Sequence, residues 1–442
     1  MIFLLIISII FIGYLLINLI SSQLVETEKI SLGFITSIGI LTFFSFLLNL
    51  YGFDFNKTNL FMLLAISLSF LIFLNLSFKK IKLSILDYKK YVLKIKELDK
   101  IEKTAIAVII ALSTLAFISS IYWPVKDWDS IVLYDFRAKT FVATGNMEDG
   151  IQRGYFFGYP LLTSLAHTFV YLSDFQYPGV IHSLFFIFFL ILIYHFLNKQ
   201  TNTRWAIIWT MIISLTPGLY GHAQMTYTNL PYIVYIICSY LYLHLWFKSK
   251  KNSHLIISSL LLGLSTWTRS TEPFWLLPIV ISFIGSIYIK KYFSWFIFPI
   301  ITFLIRIPWI SFEEKNLQMD RSHITQSKKY LELLLSNQAV TNFIPVCIYF
   351  FMNVIKPNII VYLMLSLFLY PILTNLKKKV DKELLIFSSY ILLNLLLIFV
   401  GIYILSLSFS EWQDIGGSAQ RMSMFIPPMI LLLVAQYTFK NK

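Results

Sequence analysis

The feature that most constrains this chain is a long succession of apolar runs, each about the length of a membrane-spanning helix. The first covers residues 2–20, and similar runs follow along the whole chain. A helix needs about 20 apolar residues to cross the hydrocarbon of a bilayer. With 57% hydrophobic residues, 13% charged residues and a mean hydropathy of +0.73, the chain has too few charges for a soluble surface. The pattern therefore predicts an all-α polytopic membrane protein.

The apolar runs predict thirteen transmembrane helices. A signal peptide is disfavoured for the first run, because no basic start precedes it and no small-residue cleavage site follows. The run at 343–355 is short for a span and predicts an interfacial or re-entrant helix. The predicted spans lie near residues 2–20, 31–51, 60–78, 104–123, 178–197, 205–222, 228–247, 254–268, 273–289, 292–310, 359–375, 383–409 and 421–439.

Lysine clusters set the predicted orientation. The segment 79–103, between the third and fourth spans, is the richest in lysine, and lysine-rich loops stay in the cytoplasm. The fourth span then delivers the first external loop, 124–177, to the extracytoplasmic face. The net charge of +14 is explained by this topology, so membrane lipids are predicted as partners and nucleic acid is not. The high Ile, Lys, Asn and Phe content is typical of an AT-rich prokaryotic genome and predicts a prokaryotic plasma membrane.

The first external loop gathers the charged residues that chemistry requires. Asp127 and Asp129 follow directly after the predicted membrane exit at Trp123. Residues 131–145 have helical spacing, with Arg137 and Lys139 on the polar side, and predict a helix that lies on the bilayer. A second amphipathic helix is predicted from residue 158 to 167. The two helices would frame the carboxylates, although a simple solvated connection is the alternative.

Four motifs in this loop resemble the GT-C class of membrane glycosyltransferases, which includes protein O-mannosyltransferases and the lipid A aminoarabinose transferase. They are the acidic pair Asp127 and Asp129, then Tyr134 with Ala138, then Gly145, then Tyr159-Pro160-Leu161. Residues 265–278 and 416–428 are similar to two later elements of the same class. The sequence departs from the class pattern in three ways: Trp128 splits the acidic pair, one proline stands before Leu161, and three spans precede the core.

The resemblance implies a domain plan and roles for individual residues. The part it covers is a catalytic membrane core (104–310). The apolar runs and lysines place an N-terminal three-helix segment with its lysine-rich linker (1–103) before this core and an external loop with C-terminal helices (311–442) after it. By position, Asp129 would be the general base and Asp127 its neighbour, or the reverse. We predict that Arg421, Lys139, Arg137 and Arg269 bind the donor phosphate, because its departure needs fixed positive charge. We predict that Tyr134, Tyr159, Glu272 and His167 bind substrate, with an ordinary interfacial side chain as the alternative for His167. The residues themselves also allow Arg421 to be an interfacial anchor, and Arg269 with Glu272 to be an ion pair.

The predicted reaction is sugar transfer from a polyprenyl phosphate to a hydroxyl group of a lipid, a glycan or a protein. The departing phosphate needs fixed positive charge and no acid. The acceptor hydroxyl needs a base, which typically contributes about 10²- to 10⁴-fold in rate. One carboxylate is then sufficient, and the anomeric carbon would be inverted.

A divalent cation and two other functions remain open at the sequence level. Asp127 and Asp129 can share a divalent cation, with Glu148, Asp149 or Glu411 as further oxygen ligands, and no other cofactor is expected. Cys238 and Cys347 lie in apolar runs and predict neither a disulfide nor a metal site. An O-antigen ligase or polymerase would depend on a late external loop. A lipid-linked glycan transporter or flippase would show mid-membrane charges and related halves.

Overall fold

Every regular element in the described part of the chain is helical. The computed structural model describes residues 1–78, 98–152, 159–270, 273–292, 294–316, 332, 337–374, 382–414 and 417–439. The first group comprises α1 (Ile2–Ile20), α2 (Glu26–Leu50), α3 (Lys57–Ser77), α4 (Lys100–Tyr122), π1 (Ser130–Asp135), α5 (Phe136–Thr144), α6 (Met147–Gln152) and α7 (Leu162–Leu172).

The middle group comprises α8 (Gly179–Gln200), α9 (Thr203–Ser214), α10 (Pro217–His222), α11 (Asn229–Ser249), α12 (Asn252–Thr268), α13 (Leu276–Tyr288) and α14 (Ile297–Asn316). The last group comprises α15 (Asn337–Phe350), π2 (Phe351–Ile355), α16 (Ile359–Thr374), α17 (Lys382–Ser408), α18 (Ser418–Ser423) and α19 (Ile426–Thr438). Short 3₁₀ turns cover Pro273–Trp275, Ser294–Phe296, Lys356–Asn358 and Trp412–Asp414. The predicted all-α class is confirmed.

Within the described residues, ten helices are long and apolar enough to cross a membrane, so the chain is an integral membrane protein. The predicted spans at 205–222, 254–268 and 273–289 fall on shorter helices. In the first of these, α9 ends at Ser214 and α10 begins at Pro217, because a proline removes a backbone donor and restricts the residue before it. The number thirteen stays a prediction.

One apolar run is longer than a single straight crossing requires. Residues 338–370 form a helical run of 33 residues, which at about 1.5 Å per residue is about 50 Å long. The hydrocarbon core is about 30 Å thick. Inside the run, π2 and the turn Lys356–Asn358 separate α15 from α16. The predicted short helix at 343–355 therefore exists as the end of α15 with π2, and its interfacial position stays a prediction.

The N-terminal helices pack directly on the rest of the bundle. A Cβ atom on Gly13 of α1 would lie 1.9 Å from the carbonyl oxygen of Gly33 of α2, so only glycine allows these two backbones to approach so closely. On its other sides α2 packs against α7, α8 and α12. Helices α1 to α3 and the helices that follow them therefore share one interior.

The helices alternate in direction, so their ends meet in two groups. We call the end of the bundle that carries Asp129 the site end, and the opposite end the lysine end. At the site end the backbone N–H of Phe55, after α2, donates to the carbonyl of Gly145, after α5, at 2.8 Å. At the lysine end Lys199 contacts Glu28 at 2.7 Å. These two contacts place the end of α2 at the site end and its start beside the end of α8, as the predicted alternation requires for these two helices.

Two elements bring the site residues into place. Helix α11 is buried from Asn229 to Phe247, and Asn229 begins it at the site end. Helix α7, predicted as an amphipathic surface helix over 158–167, is different from that prediction: ten of its eleven residues are buried. The reason is that α2, α5 and π1 all pack against α7, so it has no face left for the bilayer surface.

Candidate functional site

The segment after α4 forms one wall of the candidate site. Residues 131–145, predicted to be helical, form π1 followed directly by α5, and Gly145 ends α5 in the left-handed region with φ +75°. The prediction that Arg137 lies on a polar face is wrong, because its side chain is fully buried. Its Nη1 donates to the carbonyl of Tyr159 at 3.2 Å, which turns the guanidinium toward the start of α7.

Asp129 forms an ion pair with Arg421, which lies 292 residues later in the sequence. Nη1 of Arg421 lies 2.5 Å from Oδ2 of Asp129, and both side chains are about one-third exposed. Arg421 sits on the short helix α18, where Ser418 Oγ accepts a further, longer contact from it at 3.4 Å. The Arg421 guanidinium also lies 5.7 Å from the ring centroid of Tyr227. The structure therefore brings together the base and the first phosphate-binding residue that the sequence predicted.

A second arginine lies close by. Arg269 follows α12, and its Nη1 donates to Oδ1 of Asn229 at 2.7 Å. Its guanidinium lies 5.7 Å from the ring centroid of Tyr159 and 5.6 Å from that of Tyr232. Because α11 begins and α12 ends at the site end, the two helix termini meet and hold this arginine beside Tyr159.

These side chains surround a cavity of about 50 Å³. Its lining includes Asp129, Tyr134, Tyr159, Tyr227, Arg269 and Arg421. Two guanidinium groups and one carboxylate give the lining an excess of positive charge, which favours an anionic ligand. The aromatic rings offer flat apolar faces beside those charges. The cavity can thus hold a small anion next to a carboxylate.

Burial shifts the titration of two groups around the cavity. Burial raises the pKa of Tyr134 well above its ordinary value, and the nearby Tyr159 hydroxyl raises it further. Burial lowers the pKa of Arg137 to about 10, against smaller opposing effects of Tyr134 and Tyr159. At neutral pH the phenol therefore stays protonated and can donate, while Arg137 stays positively charged behind the tyrosines.

Asp127 lies apart from the cavity. It lines a separate, narrow crevice with Trp123, Lys126, Gln224 and Thr226. The two aspartates still share one neighbour: burial raises the pKa of Tyr227, and the charges of Asp129 and then Asp127 raise it further. The predicted acidic pair is therefore divided, with Asp129 in the cavity and Asp127 in the adjoining crevice.

Lys139 and His167 belong to a second polar cluster, centred on the buried Asp135. Nζ of Lys139 lies 2.8 Å from one Asp135 oxygen, and the Tyr171 hydroxyl donates to the other. Nδ1 of His167 lies 3.8 Å from that second oxygen. The structure thus places neither Lys139 nor His167 in the lining of the cavity.

Among the described residues, Glu148, Asp149 and Glu411 do not line the cavity. Glu148 is exposed at the start of α6. Within the ranges that the structure describes, no three His, Cys, Asp or Glu side chains lie close enough to hold a metal ion. A cation shared by Asp127 and Asp129 stays a prediction. Glu272 lies outside the described residues.

The sequence did not identify four contributors to the two clusters: Tyr227, Asn229, Ser418 and Asp135. Tyr227 and Asn229 flank the start of a predicted span, where a polar residue is an ordinary helix end. Ser418 lies three residues before Arg421, and only the role predicted for Arg421 could have drawn attention to it in the sequence. Asp135 was visible only as one more charge in the first external loop.

Comparison with known proteins gives no independent assignment: no protein-family model, curated protein or solved structure matches this chain. The likeness to membrane glycosyltransferases therefore stays a prediction from the motifs.

Proposed function

We propose that this protein is a membrane glycosyltransferase that moves a sugar from a polyprenyl phosphate to an acceptor hydroxyl at the site end of the bundle. The observation that carries the proposal is the Asp129–Arg421 ion pair in a tyrosine-lined cavity beside a second arginine. A base and fixed positive charge are the two groups that this reaction needs. They lie in one cavity although 292 residues separate them in the sequence.

The chemistry assigns one task to each charge. Asp129 takes the proton from the acceptor hydroxyl. The acceptor oxygen then bonds to the anomeric carbon, and the bond from that carbon to the phosphate oxygen breaks. The phosphate leaves with the electron pair, and Arg421 and Arg269 stabilise the negative charge that develops on it. Attack opposite the leaving group inverts the anomeric carbon.

The ion pair also controls when the base is free. An arginine binds a carboxylate or a phosphate through the same fork of N–H donors. The donor phosphate therefore competes with Asp129 for Arg421 and releases the carboxylate when it binds. In this arrangement Asp129 becomes available to the acceptor only after the donor has arrived.

Substrate and location follow from the membrane setting. A polyprenyl chain partitions into the hydrocarbon and brings its phosphate to the helix ends, where Arg421 and Arg269 lie. From the lysine clusters we infer that the site end faces the extracytoplasmic side. From the residue composition we infer that the membrane is a prokaryotic plasma membrane. The acceptor is then a hydroxyl on a lipid, a glycan or a protein at that face. A divalent cation shared by Asp127 and Asp129 stays a prediction.

The test is sugar transfer by membranes that contain Asp129→Asn. Membranes would be supplied with polyprenyl phosphates that carry labelled sugars, and label in lipid, glycan and protein fractions would be measured. We expect Asp129→Asn to lower turnover by about 10²- to 10⁴-fold, the usual contribution of a general base. Asp127→Asn should cost less, because Asp127 faces another crevice. Asp174→Asn is the matched control, an exposed aspartate paired with Lys57 on a loop at the same end.

Donor binding provides a second measurement on the same variants. Asp129→Asn removes the competitor for Arg421 and should bind a polyprenyl monophosphate about tenfold more tightly, which equals about 1.4 kcal/mol. Arg421→Ala should bind it more weakly. Transfer that survives Asp129→Asn would refute the proposal. Movement of an intact lipid-linked sugar between the leaflets of liposomes, without transfer, would identify a flippase instead.

A further inference from the structure

Next to the candidate site lies a layer of three buried histidines that the proposed reaction does not use. His167 belongs to α7, His182 to α8 and His222 to α10, and they are 0%, 1% and 8% exposed. Neither ring nitrogen of His167 or His182, nor Nδ1 of His222, has a hydrogen-bond partner among the described residues. We call these three residues the histidine layer.

The histidine layer connects the two polar clusters. At one end, Nδ1 of His167 lies 3.8 Å from the Asp135 carboxylate. The rings of His167 and His182 have centroids 5.5 Å apart, and His182 lies within electrostatic reach of both His167 and His222. At the other end, the ring of His222 lies 5.7 Å from that of Tyr227, which lines the cavity.

Further polar groups border the same layer. The hydroxyls of Thr163 and Ser164 are buried and have no hydrogen-bond partner among the described residues. They precede His167 by four and three residues, so they lie on the same face of α7. The hydroxyl of Thr226, which precedes Tyr227 in the sequence, is also buried and has no hydrogen-bond partner among the described residues. The unpartnered atoms therefore come from three helices and one loop.

Physical chemistry identifies the ligand class that such a layer accepts. A buried polar group without a hydrogen-bond partner destabilises the folded protein. Internal water molecules ordinarily satisfy such groups, each with about three hydrogen bonds. Burial lowers the pKa of His167 to about 3 and that of His222 to about 4, so both rings stay neutral at pH 7. A neutral imidazole offers one donor and one acceptor, which suits water on either side of it.

We propose that the histidine layer binds a chain of internal water molecules that joins Asp135 to the cavity of Asp129 and carries a proton between them. The use of this path rests on the proposed function. After transfer Asp129 holds the acceptor proton while the two products, the glycosylated acceptor and the polyprenyl phosphate, cover it. Each water or imidazole gains one proton on one atom and releases one from another. Asp135 gains the proton in the end, and nothing is oxidised or reduced.

Water-to-imidazole magnetisation transfer tests the hydration. The full-length protein, labelled with ¹⁵N-histidine and placed in lipid bilayers at pH 7, would be examined by solid-state NMR. Single variants His167→Gln, His182→Gln and His222→Gln assign the signals. His244 is the matched control, because it is a buried histidine whose Nε2 pairs with Gln436. We expect all three rings of the layer to receive water magnetisation faster than His244. Transfer no faster than at His244 would overturn the proposal.

Kinetics test the proton path separately. His182→Phe places an apolar ring in the middle of the layer, and His244→Phe is its control. We expect His182→Phe to lower kcat for sugar transfer while KM for the donor stays unchanged, because the donor contacts Arg421 and not His182. An unchanged kcat would overturn the path. The NMR experiment requires no donor, so its failure would leave the proposed function standing, whereas loss of the proposed function would leave the hydration result intact.

Discussion

Two aspartates that are nearly adjacent in the sequence have different surroundings. Asp127 lies in the chain that leaves α4, whereas Asp129 already has helical backbone angles, φ −59° and ψ −33°, at the start of π1. This change of direction turns the two carboxylates toward different spaces. Sequence spacing predicted an acidic pair, but the arginine that reaches Asp129 distinguishes the two residues. The contact with Arg421, and not the nearby Asp127, is therefore what selects Asp129 as the proposed base.

His167 predicts how stability depends on pH. Burial, helped by the positive charge of Lys139, lowers its pKa from 6.5 to about 3. Between these values the unfolded chain binds a proton that the folded protein does not. The contribution of His167 to the free energy of unfolding is therefore fully present above about pH 6.5. Below that pH it decreases by about 1.4 kcal/mol per pH unit. We expect a lower thermal midpoint at pH 5 than at pH 7.

The variant His167→Gln should reduce that difference between pH 7 and pH 5, because glutamine does not titrate. The measurement is thermal unfolding of the purified protein at both pH values. Thr163→Val, a buried polar change on the same face of α7, is the control and should leave the pH dependence unaltered. The same pH dependence in His167→Gln and in the unmodified protein would contradict the assignment.

At the scale of the element, π1 determines what the cavity contains. In a π-helix a backbone N–H bonds to the carbonyl five residues earlier, so each turn holds an additional residue. The N–H of Phe136 donates in this way to Ile131. The wider turn allows both Leu133 and Tyr134 to line the cavity with Asp129. A regular helix of 3.6 residues per turn would turn one of them away.

The contact of Asp135 with Tyr171 anchors π1 to α7 and can be tested by Tyr171→Phe. Asp135 is buried at the end of π1, and the Tyr171 hydroxyl donates to it. Its removal leaves a buried carboxylate oxygen less satisfied, at a cost of about 1–3 kcal/mol. We expect a lower midpoint of thermal or denaturant unfolding. Tyr177→Phe, on the following loop, is the control. Equal midpoints would show that Lys139 alone satisfies Asp135.

For the whole molecule, alternation of the helices assembles the site. Asp129 follows α4, Tyr227 precedes α11, Arg269 follows α12 and Arg421 precedes α19. Each of these positions is a helix terminus at the site end. Since successive helices reverse direction, residues far apart in the sequence return to the same end. The site is therefore built from loops and termini, on a scaffold of buried helices such as α11.

The predicted orientation can be tested by labelling introduced cysteines in intact cells. In a Cys347→Ser background, Ala143→Cys places an exposed thiol at the site end and Ser249→Cys places one at the lysine end. Cys238 is fully buried and is left in place. We expect a membrane-impermeant maleimide to label Ala143→Cys directly and Ser249→Cys only after permeabilisation. The opposite pattern would place Asp129 in the cytoplasm and end the proposed extracytoplasmic reaction.

The sequence by itself determined the helical membrane class and the alternation of the helices. Both depend on the order of apolar runs and lysines along one dimension, because each helix must satisfy its own backbone bonds in lipid and each lysine cluster remains in water. The helix over 131–145 was predictable for the same local reason. The motifs also selected Asp129, Arg421 and Arg269 before any contact was known.

Only the tertiary structure decided which of these residues meet. In the structure Asp129 pairs with Arg421, and Arg137 is buried behind the tyrosines. Lys139 and His167 lie in the Asp135 cluster and not at the cavity. The structure also added Asn229 and Tyr227, which no local pattern marked. The physical reason is that a hydrophobic run requires a helix to be shielded from water but does not specify which helices it packs against. Neighbours are chosen by close packing, such as that of Gly13 on Gly33, and that choice determines which helix ends share a cavity.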